Sequence, residues 1–280
     1  YYGTTNYPVD TETGYPIGFG SKSQDVLLPS FLSAYKGSDP EKESTGIFRD
    51  IPIPNWDLKY TGLMKIPWFK KYFKRFSLQH GYRSGYTINQ FRTNLDYDSN
   101  NPEDLDQSGN FKSTTLLTNV NLIEQFSPLI RVDFEMKNSI NIRAEVKKDR
   151  TLNMSFDNNL LTEVSGNDYT IGLGYRIKDV TINSSLADNP TGVIKSDINI
   201  KADFTLRKNN TIVRYLDYNN NELAGGQDLW SIRLTADYSF SRNLTAIFFY
   251  DHQFSQAVIS TAFPITNIRG GFTLRYNFGN

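Results

Sequence analysis

The sequence predicts an all-β fold of the antiparallel transmembrane barrel type. Long stretches alternate strictly between apolar and polar residues. Most of the alternating segments run nine to thirteen residues by their sequence boundaries, whereas globular strands average about five or six and tilted bilayer strands need roughly nine to eleven. Hydrophobic residues make up only 38% of the 280, yet aromatics reach 14%, with 17 Tyr and 19 Phe. A lean apolar total rich in rings suits a barrel with a polar lumen and aromatic girdles at its rims.

The alternation is clearest in "IRVDFEMKNSINIRAEVK", residues 130–147. Ile130, Val132, Phe134 and Met136, then Ile140, Ile142, Ala144 and Val146, fall on one face. Arg131, Asp133, Glu135 and Lys137, then Asn141, Arg143, Glu145 and Lys147, fall on the other. The phase is re-set across a short turn, the signature of a hairpin. Apolar faces coincide only if Met136 stands opposite Ile140 across a three-residue turn, Lys137-Asn138-Ser139. Phe134 then faces Ile142 and Val132 faces Ala144. On the polar face Asp133 meets Arg143 and Arg131 meets Glu145, opposite charges contributing about 0.2–1 kcal/mol per pair. A fully charged face cannot be buried dry, because unpaired ions cost several kcal/mol each, so it must line water. The oily face then needs lipid or a second apolar layer. Lipid is the more economical cover; a β-sandwich or an extended soluble sheet is the alternative.

Taken in chain order, residues 1–74 form an irregular segment holding seven of the eleven prolines, with one short amphipathic helix at Ser30–Tyr35. Residues 75–280 form the barrel wall of about ten to twelve strands. Strands fit at 75–83, 86–92 and 114–122, and more clearly at 129–137, 139–147, 151–164, 169–178, 197–207, 211–218, 229–240, 243–252 and 268–278. Met154 joins the apolar face, as do Trp230, Ile232, Leu234, Ala236, Tyr238 and Phe240; Arg233 and Asp237 stand on the polar one. Lys137–Ser139, Ser165–Asp168, Lys208–Asn210 and Ser241–Asn243 read as tight turns. The intervening connections 179–196, 219–228 and 253–267 are long, with Lys148–Arg150 the exception. This is an up-and-down meander with short periplasmic turns and longer external loops, and parity puts Asn280 in the periplasm. The final strand places Phe272, Leu274, Tyr276 and Phe278 on one face, the pattern of a C-terminal barrel-assembly strand or of a rim girdle. In 243–252 both faces are partly apolar: Ile247 and Phe249 touch either a body inside the lumen, such as a plug or the 1–70 segment, or simply each other's neighbours. The chain opens Tyr1-Tyr2-Gly3 without Met or a signal peptide, as a mature form or a piece of something longer would.

Little points to chemistry. The net charge is zero, from 30 basic and 30 acidic residues, so no overall field favours nucleic acid. There is no Cys, and His80 and His252 are the only histidines; neither belongs to a spaced ligand cluster. No Gly-x-Ser-x-Gly and no phosphate-cradling glycine loop occurs. Neither catalysis nor a cofactor nor a metal is expected. "DYDSNNPEDLDQ" offers Asp96, Asp98 and Asn100 at calcium-loop spacing, but Asn101 stands where glycine belongs and Gln107 where the closing Glu belongs. Lys70, Lys71, Lys74 and Arg75, interleaved with Trp68, Phe69, Tyr72 and Phe73, suit anchoring at anionic headgroups as well as base stacking.

Several stretches carry a resemblance. "LPSFLSAYKG" (28–37), "IPIPNWDLKYTGL" (51–63), "SLQHGYRSGYTINQF" (77–91), "EQFSPLI" (124–130), "TEVSGNDYTIGLGYRIKD" (162–179) and the closing strand resemble the C-terminal part of the SprA/Sov family, from about Leu28 to Asn280. That family is the outer-membrane translocon of the type IX secretion system, tied to gliding motility. The resemblance implies that this chain is the last segment of a very large barrel's wall. It implies, as partners, the remainder of the same barrel, secreted cargo with a C-terminal type IX signal, a PorV-like shuttle barrel and a periplasmic plug protein, with membrane lipid outside. The rival reading is a free-standing porin or receptor barrel of about twelve strands; a soluble adhesin is a third. The expected lumen-facing wall is Arg131, Asp133, Glu135, Asn141, Arg143, Glu145, Arg233 and Asp237. The expected lipid-facing set is Ile130, Val132, Phe134, Ile142, Met154 and Leu234.

Overall fold

A computed structural model describes residues 7–39, 43, 54–183, 192–218, 220–241, 243–259 and 262–278. Nine strands form one antiparallel meander in strict sequence order. They are β1 (Trp56–Tyr60), β2 (Phe73–Thr93), β3 (Thr115–Met136), β4 (Ile140–Ser155), β5 (Leu160–Asn183), β6 (Val193–Tyr215), β7 (Asn220–Ser239), β8 (Leu244–Ala257) and β9 (Ile265–Tyr276). β1 and β9 are the outer strands and do not pair with each other, so the sheet is open.

The strands are fewer and longer than the sequence predicts. The segments read as 75–83 and 86–92 are one strand, β2, with a register shift between Gln79 and Tyr82. Those at 114–122 and 129–137 are likewise one strand, β3, shifted between Phe126 and Ile130. Ser165–Asp168 and Lys208–Asn210 are not turns; both lie inside unbroken ladders. Lys148–Arg150 also continues its strand. The actual reversal between β4 and β5 falls at 156–159, where Asn159 takes φ +49°, a left-handed conformation that Asn tolerates. The expected turn Lys137–Ser139 is present: Ser139 has φ +68° and donates its N–H to the Met136 carbonyl at 3.2 Å. Ser241–Asn243 also joins two strands, β7 and β8. Loop lengths are consequently not segregated by end. The end bearing 156–159 also carries the long 94–114 connection, and the opposite end carries both Lys137–Ser139 and 184–192. β9 finishes at the latter end.

The misread turns have a common cause. Lys148, Asn167, Lys208, Asp228 and Gln256 are successive register partners across β4 to β8. The polar interruption in each segment is thus one transverse belt on the otherwise apolar face.

Residues 1–74 hold more order than a loop-rich segment. Helix α1 (Gln24–Lys36) is twice the expected span, and β1 and a short α2 (Pro67–Tyr72) follow. Leu28, Phe31, Leu32 and Tyr35 recur at helical spacing, and the first three are buried with Leu117, Val120, Leu122, Leu152 and Met154 in an apolar core. The Gln24 amide clamps β3, donating to the Thr115 carbonyl at 2.5 Å and accepting from Leu117 N–H at 2.9 Å. Gly37 at φ +68° ends the helix, its N–H returning to the Ser33 carbonyl, as a left-handed cap does. Met154 is therefore a correction: it sits on the predicted face, but only 1% exposed beneath α1 and beyond the polar belt. Of the 1–70 segment, α1 docks on the apolar face, outside the polar one.

Candidate channel wall

Cross-strand partners share a face, so the ladders assign every side chain to one of two surfaces. Ile130, Val132, Phe134, Ile142 and Leu234 stand on one surface with Tyr169, Ile171, Leu173, Phe204 and Phe248. On β6 the oily zone runs from Ile198 to Leu206, which pair with Tyr238 and Trp230. Eight residue steps of about 3.4 Å give roughly 27 Å along the strand, or roughly 20 Å across a bilayer at a tilt of about 40°. Outer-membrane barrels carry an apolar band of about 25 Å between aromatic girdles, so this zone is comparable and somewhat narrower. Rings cluster at both limits. Trp230 lies 5.7 Å from Phe254 between centroids at one end, and Tyr238 lies 5.1 Å from Phe240 at the other.

Among the described residues the greater part of this band is uncovered, Tyr238 at its limit being only 8% exposed. Ile130 is 50% exposed, Ile171 51%, Phe248 50% and Phe272 63%. So large a contiguous apolar patch on a water-soluble monomer would be an association surface. Phe272, Leu274 and Tyr276 extend it along β9. Phe278 lies just past the strand, 95% exposed with its ring against Tyr276. No helix is long and apolar enough to cross a membrane among the described residues, which says nothing about strands.

The other surface carries the ions. Arg131, Asp133, Glu135, Asn141, Arg143, Glu145, Arg233 and Asp237 all stand on it. One transverse row crosses seven strands as Asp133, Arg143, Gly172, Asp203, Arg233, Asp251 and Arg269, register partner to register partner. Charge alternates along it except at the glycine. A side chain at Gly172 would put its Cβ 2.6 Å from Asp203 Oδ1 and 3.5 Å from Arg143 Nε. The bare position lets Arg143 reach over β5 and donate to Asp203 at 3.0 Å. Asp251 is flanked in the same way, by Arg233 at 2.8 Å and Arg269 at 3.4 Å.

The register expected for the 130–147 hairpin is observed, but its ion pairs are re-partnered. Arg131 donates to Asp133 of its own strand at 2.6 Å, not to Glu145. Arg143 goes to Asp203, and Glu145 pairs with Lys147 at 3.4 Å. Glu135 takes Lys74 at 2.8 Å, and Asp237 accepts from Asn199 at 2.8 Å. Directly opposite charges share the face with several alternatives within reach, and long side chains take the shortest well-oriented donor. Each pair is partly exposed and contributes about 0–1 kcal/mol. Together they leave a surface whose carboxylates are largely answered by its own cations.

Of the two readings for Phe249, the structure supports local packing. Its ring lies over Gly271, where a Cβ would meet it at 2.8 Å, an aromatic shielding a strand glycine. Sequence reading missed Gly172, Asp203, Asp251 and Arg269; their signal was the polar phase of 169–178, 197–207, 243–252 and 268–278, legible only once neighbours in the sheet are known.

Where the band meets α1, Tyr35, Tyr82, Glu124 and Arg150 form a small polar network. Tyr82 donates to Glu124 at 3.0 Å, Arg150 donates to the same carboxylate at 3.0 Å, and Arg150 lies over the Tyr35 ring. Burial, the hydrogen bond to Tyr82 and the nearby Glu124 charge push the Tyr35 hydroxyl above its usual range. In the 94–114 loop the carboxylates face their own chain: Asp98 accepts from Asn100 N–H and Asp106 from Ser108 and Asn110 N–H. No cluster of three or more metal-ligating side chains occurs among the described residues. No family model and no curated protein matches the chain.

Proposed function

We propose that this chain is a wall segment of a large outer-membrane β-barrel whose ionic face lines an aqueous, protein-conducting lumen. One observation carries the reading: a single sheet presents a self-paired ionic surface on one side and a largely uncovered apolar band close to bilayer dimensions on the other. Lipid wets the band at Ile130 and Leu234; water bathes Arg143 and Asp237. The free outer edges of β1 and β9 favour a segment completed by further strands over a twelve-stranded barrel closed by this chain alone. A wall whose carboxylates already hold cations gives passing protein few unmet charges to stick to, which suits export over selective retention. The assignment to protein export through the type IX system, with a PorV-like shuttle, a plug and signal-bearing cargo as partners, rests on the resemblance of residues 28–280 to SprA/Sov.

Single cysteines test the wall, since the chain has none of its own. In cells, a water-soluble maleimide should label Cys placed at Asp237 or Thr205 and spare Cys placed at Leu234 or Phe204. The reverse pattern, or equal labelling, rejects the wall. For export, replacing Asp203 and Asp251 by Arg in the whole protein should lower the delivery of surface proteins without lowering the amount of barrel in the outer membrane. Unchanged delivery with a disturbed small-solute uptake would favour the porin reading instead.

A further inference from the structure

At the end where β9 finishes, the ionic face sinks into a hollow of about 730 Å³. Its charge is unequal, unlike the face as a whole. Lys74, Arg75, Arg143, Arg176, Lys178 and Lys201 line it against Asp133, Glu135 and Asp203, an excess of three positive charges. All three carboxylates are engaged: Glu135 by Lys74, Asp203 by Arg143, and Asp133 by Arg131. Lys178 and Lys201 have no ion-pair partner among the described residues. Lys201 stands between Gly174 of β5 and Thr235 of β7, and Gly174 leaves the floor beside it without a side chain.

We propose that this hollow is a docking site for an acidic peptide segment, bound chiefly by Lys178 and Lys201. β5 is laddered on both sides, by β4 and β6, so a guest cannot join as an extra strand and is recognised by side chains alone. Lysine ammonium groups are mobile point charges, and here they are spread over two strands, β5 and β6. That favours successive Asp or Glu side chains over one compact oxyanion. Membrane lipid lies against the opposite surface, which leaves a peptide in the lumen as the occupant. The inference rests on the aqueous-lumen reading above.

The test uses the whole barrel protein in non-ionic detergent and a fluorescent ten-residue peptide of alternating Glu and Ser, with Lys-Ser and Gln-Ser peptides as controls. The acidic peptide should bind, and Lys178→Glu with Lys201→Glu should weaken it about tenfold or more, since two attractive charges become repulsive. Raising salt from about 20 mM to about 300 mM should weaken it as well, by screening. Lys148→Glu with Lys208→Glu, on the opposite surface, should leave it unchanged. Equal binding of the three peptides, or indifference to the Lys178/Lys201 change in a protein with unaltered circular dichroism, overturns the proposal. Competition by inorganic phosphate or by anionic vesicles at matched charge, as strong as by unlabelled peptide, would assign the site to a simple anion or to lipid and overturn it too. Maleimide labelling of Cys placed at Lys201 separates the two failures. A labelled Cys without peptide binding refutes only the docking site; an unlabelled one refutes the lumen.

Discussion

Leu234→Arg tests the two-faced wall most directly. Leu234 pairs with Ala202, which lies four residues from Ile198 and four from Leu206, the two limits of the oily zone on β6. That is about 14 Å along the strand from either rim, the midplane of a bilayer centred on the band. An Arg at the midplane of a barrel's lipid face costs about 2–4 kcal/mol, falling to about 0–1 near the interfaces. Leu234→Arg should therefore lower the folded-to-unfolded ratio by roughly 30- to 1,000-fold, whereas Leu206→Arg should cost only about 0–1 kcal/mol. Thr205→Arg is the opposite-face control. Its direct neighbours are Thr170 and Ser231, so the new guanidinium meets no charge across the ladder and should cost within about 0.5 kcal/mol. Urea titration of the whole barrel, this chain together with the strands that complete it, reconstituted in phosphatidylcholine vesicles, measures all three. Equal costs for Leu234→Arg and Thr205→Arg would show that both faces meet the same medium, and the wall reading would fail.

Other outcomes follow from single sites. Met154→Ala empties a position 1% exposed under α1; it should destabilise the α1 contact by about 2–5 kcal/mol, seen as lost amide protection in 24–36 with β7–β9 unaffected. Gly172→Ala should cost about 1 kcal/mol by wedging Arg143 from Asp203, and the cost should vanish in an Asp203→Ala background; an unchanged cost there would point to backbone strain instead. The Asp104 carboxyl is held below its ordinary 3.8 by the hydrogen bond from Lys112, and Lys112 above its ordinary 10.5 by the same bond. Asp104's contribution to loop order is complete above the ordinary carboxylate value and is lost as pH falls through its depressed one. Lys112's is complete below 10.5 and lost as pH rises through its elevated value. Backbone NMR shifts of 94–114 should stay constant between these limits; a transition near neutrality would contradict the pairing.

Much of the sheet was legible from period two alone. The Lys137–Ser139 hairpin, its register and the division of 130–147 into two faces need only neighbours two residues apart, and local alternation reports those directly. Strand ends were not legible. A polar run inside an alternating segment means a turn if the chain bends and a belt if every neighbouring strand is polar at the same height. Lys148, Asn167, Lys208 and Asp228 become a belt only when they are laid side by side. The 156–159 turn was passed over because Leu152, Met154, Leu160 and Leu161 kept the segment looking continuous.

The amino-acid order by itself determined that this chain is antiparallel β with one ionic and one oily surface, because a strand's side-chain alternation is a property of its own backbone. Folding in three dimensions decided what each surface meets. α1 takes Met154 away from the band because its own apolar stripe reaches that end of β4 and no other. Arg143 finds Asp203 and not Asp133 because Gly172 leaves the path across β5 clear. Such choices depend on residues sixty positions apart in the chain lying within one side chain's reach, a distance no local pattern encodes.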